Sequence, residues 1–171
     1  MEGISCRPAT LSDAAELYAL RGRSILELAP QGMPIEVARQ WAARGSSEGM
    51  LRRLQETEVW VAEVRGHIVG WVGVRGGDYL DALYVAPDCA KQGVGTLLLR
   101  LVEDILRHRG VAVIRADASS NAEDFYTRRG YEPFGPRPPE DARPMRKGLL
   151  EALPNLALHQ TAVVLSVNGR G

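Results

Sequence analysis

The residues of this chain best suited to chemistry lie between positions 79 and 131, and the clearest group is Gln92-Gly93-Val94-Gly95-Thr96. It stands where a helical pattern begins. The first backbone N–H groups of a helix lack intrahelical acceptors, and the helix dipole adds partial positive charge to the same turn. Such a turn holds anions, and a pyrophosphate suits it. Gly93 and Gly95 let oxygens approach the backbone without a Cβ in the way, and Lys91 adds a cation nearby. A plain N-terminal turn of a core helix would show the same two glycines. A P-loop is excluded, because no Lys-Ser or Lys-Thr follows either glycine. A dinucleotide fold is a better rival, with Asp117 ending the next strand as a ribose-binding acid. Against it, Leu98 replaces the third glycine and hairpins precede the loop in place of βαβ units.

Other reactive side chains are less distinctive. Tyr126 beside Phe125 reads, on its own, as a half-buried aromatic. Asn121 could contact a ligand or cap its helix, since Asn is a favoured N-cap anywhere. His67 falls in a turn, His108 ends a helix and His159 lies near the C-terminus, so no imidazole is placed for a triad. Cys6 and Cys89 are far apart and form no zinc-like cluster, so neither a metal nor a disulfide framework is indicated. Trp41, Trp60 and Trp71 suit core or pocket walls, with Trp41 placed to line an acceptor site.

The elements that must position these residues follow from patterning. Residues 3–8 suggest an edge strand ended by Pro8, and Thr10-Leu-Ser-Asp13 reads as a capping box that opens a helix through Leu17, Arg21 and Ile25. Pro34, Glu36, Val37 and Trp41 predict a second helix, and residues 49–56 a further turn or two. Residues 59–65 and 68–74 are β-rich runs joined at Gly66-His67, which predicts a hairpin, and Gly70 and Gly73 within it require something packed closely against them. Tyr79–Val85 adds a third strand. Apolar positions 94, 97, 98, 101, 102, 105 and 106 repeat at helical spacing, with Gly110 as the cap. A strand at 111–116 then lies parallel to 79–85, because a helical crossover joins them. A short helix over 121–129, a strand from Tyr131 and a last strand near Met145–Leu149 complete one domain over residues 1–150, with 151–171 as a tail or extra strand.

Leu83-Tyr-Val-Ala-Pro87, five residues, then Gly93-Val-Gly95-Thr-Leu-Leu98 resembles the acetyl-CoA-binding segment of GNAT N-acetyltransferases. Asn121-Ala-Glu-Asp-Phe-Tyr126, continuing to Gly130-Tyr131, resembles the family's second motif at the expected distance downstream. One departure is Ala90, where the family's loop often carries Arg or Gln. The resemblance implies an α+β fold of mixed αβα layers, the acyl-CoA N-acyltransferase fold. Its central, mostly antiparallel sheet contains a splayed parallel pair, here 79–85 and 111–117, which admits the pantetheine arm of acetyl-CoA.

The same resemblance implies direct attack of an amine on the thioester in a ternary complex. Backbone groups of Leu83, Tyr84 and Val85 would bind pantetheine and polarise the carbonyl. Lys91, Gln92, Gly93, Val94, Gly95 and Thr96 would hold the pyrophosphate, Asn121 would contact the cofactor, and Tyr126 would protonate the departing thiolate. An alkylamine with a pKa near ~10 must lose a proton before attack. Asp81 is the chosen base, with Asp117, Glu63 and Asp78 as further candidates.

Composition limits the partners. The chain has 171 residues, 45% of them apolar, with 21 basic and 21 acidic residues in balance. No strong field is built for nucleic acid or an anionic membrane. Without an apolar run of about 18 residues, a soluble, cytoplasmic protein is expected. The acceptor is then a small-molecule or peptide amine. The alternatives are a non-catalytic acyl-CoA-binding sensor of the same fold, and an interaction protein or homodimer formed through Thr161–Val167.

Overall fold

Three antiparallel strands anchor the computed structural model, which describes residues 3–29, 33–136 and 142–150. They are β2 (Glu58–Val64), β3 (His67–Arg75) and β4 (Tyr79–Val85). Their first turn is Arg65-Gly66, one residue earlier than Gly66-His67, because Arg65 at φ 51° and Gly66 at φ 80° supply the two left-handed positions that a two-residue hairpin turn needs. β1 (Ile4–Pro8) pairs with β2, β5 (Val113–Ala118) lies parallel to β4, and β7 (Arg143–Gly148) and β6 (Glu132–Pro133) finish a sheet of order β1-β2-β3-β4-β5-β7-β6.

Helices cover both faces. On one side α4 (Val94–His108) buries Val94, Leu98, Leu99, Val102 and Leu106 against β3, β5 and β7. It ends as its sequence requires: Gly110 at φ 77°, with the N–H of Val111 on the carbonyl of Leu106 at 3.0 Å, closes the last turn. α5 (Glu123–Thr127) sits on the same side. On the other, α1 (Ala14–Glu27) and α3 (Ser47–Glu56) pack Leu17, Leu20 and Met50 onto Val61 and Trp71, with α2 (Ile35–Ala42) beside α1. α3 is a full helix of 10 residues, longer than the turn or two expected, because Ser46 caps it by accepting from the N–H of Gly49 at 3.0 Å. Covered on both faces, β3 is buried at every residue from Ile68 to Val74.

Gly70 shows why a glycine stands in that strand. A Cβ there would lie 2.9 Å from Val94 Cγ1, 3.0 Å from the Tyr84 carbonyl oxygen and 3.1 Å from Leu98 Cδ1. The first turns of α4 therefore rest directly on the backbone of β3. Gly73 meets only ordinary contacts, at 3.7 Å or more.

The capping box forms around a 3₁₀ turn at Leu11–Asp13, where Asp13 accepts from the N–H of Thr10 at 2.7 Å. Arg7 joins it through a forked pair to Asp13 at 2.7 and 3.0 Å and a further bond to Glu63 at 2.7 Å. The Arg7 guanidinium holds the Asp13 carboxyl down at about 2. Among the described residues no helix is long and apolar enough to cross a membrane. The Thr161–Val167 segment and most of the proline-rich loop lie outside the described residues.

Candidate active site

The parallel pair β4–β5 holds together only briefly. Tyr79 registers with Arg115 and Leu80 with Ala116, and no further pairing follows. Two features pull the strands apart. In the β3–β4 register Gly73 faces Ala82 while Val74 faces Leu80, so Asp81 is an extra, bulged residue that bends β4. β5 meanwhile continues along β7, Asp117 opposite Pro144 and Ala118 opposite Arg143. From Asp81 to Val85 the β5-facing backbone groups of β4 consequently have no sheet partner. An open strand edge inside a domain is a place for an extended, amide-bearing ligand to add hydrogen bonds.

Two clefts meet at this divergence. The larger, about 970 Å³, runs past Leu83, Tyr84 and Val85 to the glycine turn, where Lys91, Gly93, Gly95 and Thr96 line it with Arg100, Phe125 and Arg129. The first intrahelical bond of α4 is from the N–H of Leu97 to the carbonyl of Gly93 at 2.9 Å, so Val94, Gly95 and Thr96 present N–H groups without intrahelical acceptors. Lys91 at φ 59° and Gly93 at φ 92° set the turn's left-handed backbone. A Cβ at Gly95 would make only ordinary contacts, with Phe125 at 3.4 Å and Val85 at 3.5 Å. Gln92 is used internally, its amide donating to the carbonyl of Asp88 at 2.7 Å.

Arg129 strengthens the positive end. Its guanidinium stacks 3.6 Å from the Phe125 ring centroid and donates to the Phe125 carbonyl at 2.6 Å and to the Thr96 hydroxyl. Burial first, and then Arg100 and Arg128, lower its pKa. A cation among cations at a helix N-terminus fits a multiply charged anion, and the donor set suits the diphosphate of a coenzyme A thioester. Arg129 and Arg100 are additions to the site as read from sequence. Arg129 stood inside the second motif, but nothing in its spacing marked it.

The smaller cleft, about 510 Å³, lies on the far side of the divergence and is lined by Met33, Val37, Trp41, Arg44, Leu80, Asp81, Asp117 and Ala142. Trp41, Leu83, Tyr84, Ser119, Ala122 and Tyr126 belong to both clefts. Tyr126 is thus at the junction, 5% exposed, held edge-on by Phe125 and Tyr131 at 5.2 Å each. Burial, aided by the nearby Tyr84 and Tyr79, pushes its pKa up, so the phenol stays protonated.

Asp81 lines the smaller cleft, but its carboxylate is bound by Arg53 and lies 3.7 Å from Arg75, with only 14% of the side chain exposed. The base role expected of Asp81 would require this carboxylate to act while paired with two guanidinium groups. Asp117 reaches the same cleft and accepts from the Tyr79 hydroxyl at 2.6 Å. Glu63 and Asp78 are spoken for elsewhere, by Arg7 and by Arg115 at 2.5 Å. Asn121 lines the larger cleft, yet both ends of its amide engage the protein: it donates to the Leu28 carbonyl at 2.7 Å and accepts from the Ser119 hydroxyl at 2.7 Å. It ties the end of α1 to the segment before α5. Among the described residues no group of three His, Cys, Asp or Glu could hold a metal ion.

Known proteins share this arrangement. The acetyltransferase (GNAT) domain family matches residues 27–145. The crystal structure of a GCN5-related N-acetyltransferase from Rhodopseudomonas palustris is 30% identical, covers 86% of this chain and 97% of its own, and superimposes with a TM-score of 0.80. The PaiA N-acetyltransferase of Thermoplasma acidophilum, solved in complex with coenzyme A, shares the fold at 18% identity, with a TM-score of 0.75 over 85% of this chain and 99% of that one. The uncharacterised N-acetyltransferase YafP of Escherichia coli (strain K12) is 27% identical over 132 residues, 77% of this chain and 83% of its own length. With a family match over most of its length and a sheet that opens at the same place as its glycine turn, the chain belongs to the GNAT acetyltransferase family.

Proposed function

We propose that this protein transfers an acetyl group from acetyl-CoA to a primary amine by direct attack, with both substrates bound at once. The observation that carries the reading is the junction itself: one cleft ends at the N-terminus of α4, the other is lined by different residues, and they meet beside Tyr126, the unpaired edge of β4, Trp41, Ser119 and Ala122.

Acetyl-CoA supplies an acetyl group activated as a thioester. Val94, Gly95 and Thr96 hold the diphosphate through backbone N–H groups, with Lys91 and Arg129 neutralising charge. The open edge from Leu83 to Val85 takes the pantetheine amides and places a backbone donor at the thioester oxygen, where charge develops. Asp117 accepts the proton that the acceptor ammonium must lose, and the lone pair so freed forms the new C–N bond. As the C–S bond breaks, the electron pair stays on sulfur and Tyr126 gives its hydroxyl proton to it; the second proton of the attacking nitrogen, made acidic by the new C–N bond, restores the phenol, and Asp117 releases the first to solvent. Asp117 takes the role in place of Asp81 because its partner is a neutral phenol, which orients the carboxylate without cancelling its charge.

Tyr126→Phe tests the reading. Turnover of acetyl-CoA with an amine acceptor is expected to fall by about 10²–10⁴-fold while acetyl-CoA affinity holds, because only the proton donor is removed. Unchanged turnover would remove Tyr126 as the acid. Tight acetyl-CoA binding with no amine consumed by the unmodified protein would favour the acyl-CoA sensor instead.

A further inference from the structure

The acceptor cleft carries more information than the site of attack. Among the described residues three charged side chains line it, Arg44, Asp81 and Asp117. Asp81 is cancelled by Arg53 and Arg75. Asp117 forms no ion pair with any described residue, and its one hydrogen-bond partner is the neutral hydroxyl of Tyr79. Burial and the neighbouring Asp117 push the Tyr79 phenol up to about 12, so it remains a donor and leaves the carboxylate its charge. Arg44, in the lining of the same cleft, has no carboxylate partner among the described residues.

Arg44 is not loosely placed. It follows α2 in a turn closed by its own N–H on the Trp41 carbonyl at 3.2 Å. Arg21 clamps that turn from α1, donating to the carbonyls of Trp41 at 3.2 Å, Ala42 at 3.2 Å and Arg44 at 3.1 Å. The backbone bearing the free guanidinium is therefore fixed relative to the Tyr84 ring, over which Arg21 lies at 5.9 Å. The same lining includes the apolar side chains of Val37, Trp41 and Leu80.

Building on the acetyl-transfer reading, we infer that the acceptor is zwitterionic: an amino acid or close analogue whose ammonium sits on Asp117, whose acid group sits on Arg44, and whose apolar side chain rests on Val37, Trp41 and Leu80. A guanidinium fork matches a carboxylate in two parallel bonds. A plain alkylamine or polyamine brings only positive charge, leaves Arg44 without a counter-ion as the cleft fills, and is disfavoured by like-charge repulsion. The neutral whole-chain charge imposes no such choice, so the selection is local.

The test uses the full-length protein, acetyl-CoA, and two matched acceptor sets: the common α-amino acids, and the amines left when each loses its carboxylate. Release of coenzyme A thiol is the readout, with acetyl-CoA binding followed separately by calorimetry. Amino acids should exceed their amines by about tenfold or more in kcat/KM, the scale of one charge-assisted hydrogen-bonded contact. Arg44→Gln should collapse that ratio towards one, whereas Arg39→Gln, which removes a cation paired with Glu36 outside the cleft, should preserve it. Amines consumed as well as amino acids, a ratio that survives Arg44→Gln, or no acceptor of either set consumed despite acetyl-CoA binding would each overturn the inference and leave the cofactor assignment standing. Failure to bind acetyl-CoA at all would instead overturn the acetyl-transfer reading, and this inference with it.

Discussion

The two clefts that meet at Tyr126 are made from different parts of the chain. The larger cleft is a backbone structure: unpaired N–H groups at the start of α4, the open edge of β4, and Gly70 beneath them, where a Cβ would collide. The acceptor cleft is a side-chain structure, whose character comes from Trp41, Arg44, Asp81 and Asp117 on elements far apart in sequence. Backbone recognition needs particular φ values and particular empty spaces, and these restrict which residue types can stand at fixed spacings. Side-chain recognition needs only that the right groups arrive in one place, by whatever route the fold provides.

The largest expected effect breaks the backbone half at its foundation. Gly70→Ala puts a methyl 2.9 Å from Val94 and 3.0 Å from the Tyr84 carbonyl oxygen, and neither can yield without moving α4 or β4. A loss of about 3 kcal/mol in unfolding free energy is expected from this overpacking, measured by urea denaturation. Acetyl-CoA affinity should fall with it, because Val94 is also the first residue of the helix that offers the anion site. A variant as stable as the parent would show that α4 has room to shift.

A smaller effect is expected where the acceptor half holds itself together. Asp81→Asn leaves Arg53 and Arg75 facing a neutral amide at a bulge. Because Arg53 is partly solvated, the cost is about 2 kcal/mol of stability, below that of breaking a fully buried pair. Turnover per folded molecule should change much less than in Asp117→Asn. If Asp81→Asn instead abolished turnover without loss of stability, the carboxylate between the two arginines would be the base after all.

How much of this was legible follows the same division. The glycines at 93 and 95, the Asn121–Tyr131 stretch and the helical period from Val94 mark, in the sequence, the elements around the larger cleft. The sequence suggests the hairpin turn one residue late, because Gly66 is compatible with either register and Arg65 carries no mark of its positive φ. The bulge at Asp81 was invisible for a related reason. It arises from a mismatch of one residue between β3 and β4, and the alternation of apolar positions in Tyr79–Val85 reads the same with or without it. Arg44 gave no signal at all: an arginine between a helix and a Gly-Ser turn looks like any solvated surface charge. Only the fold brings it into one cleft with Asp117.

The subtlest prediction isolates the turn from the core beneath it. Gly93 is the N-cap of α4 at φ 92°, ψ −6°, a conformation that glycine adopts freely and a β-branched residue resists. Gly93→Val should cost about 1–2 kcal/mol locally, the penalty for a Cβ in the left-handed region. The strain can be relieved by rotating the Gln92–Gly93 backbone, which would re-aim the N–H groups that open the helix. Since the hydrophobic core under α4 begins at Val94, the cooperative unfolding transition should shift only slightly. Acetyl-CoA affinity, by contrast, should weaken by about tenfold, as 1.4 kcal/mol of misdirected donors would give. Calorimetric titration beside a melting curve separates the two quantities. Weakened binding with a preserved melt means that the turn's geometry, rather than the helix's presence, holds the diphosphate; equal losses in both would mean that the turn and the core fail together.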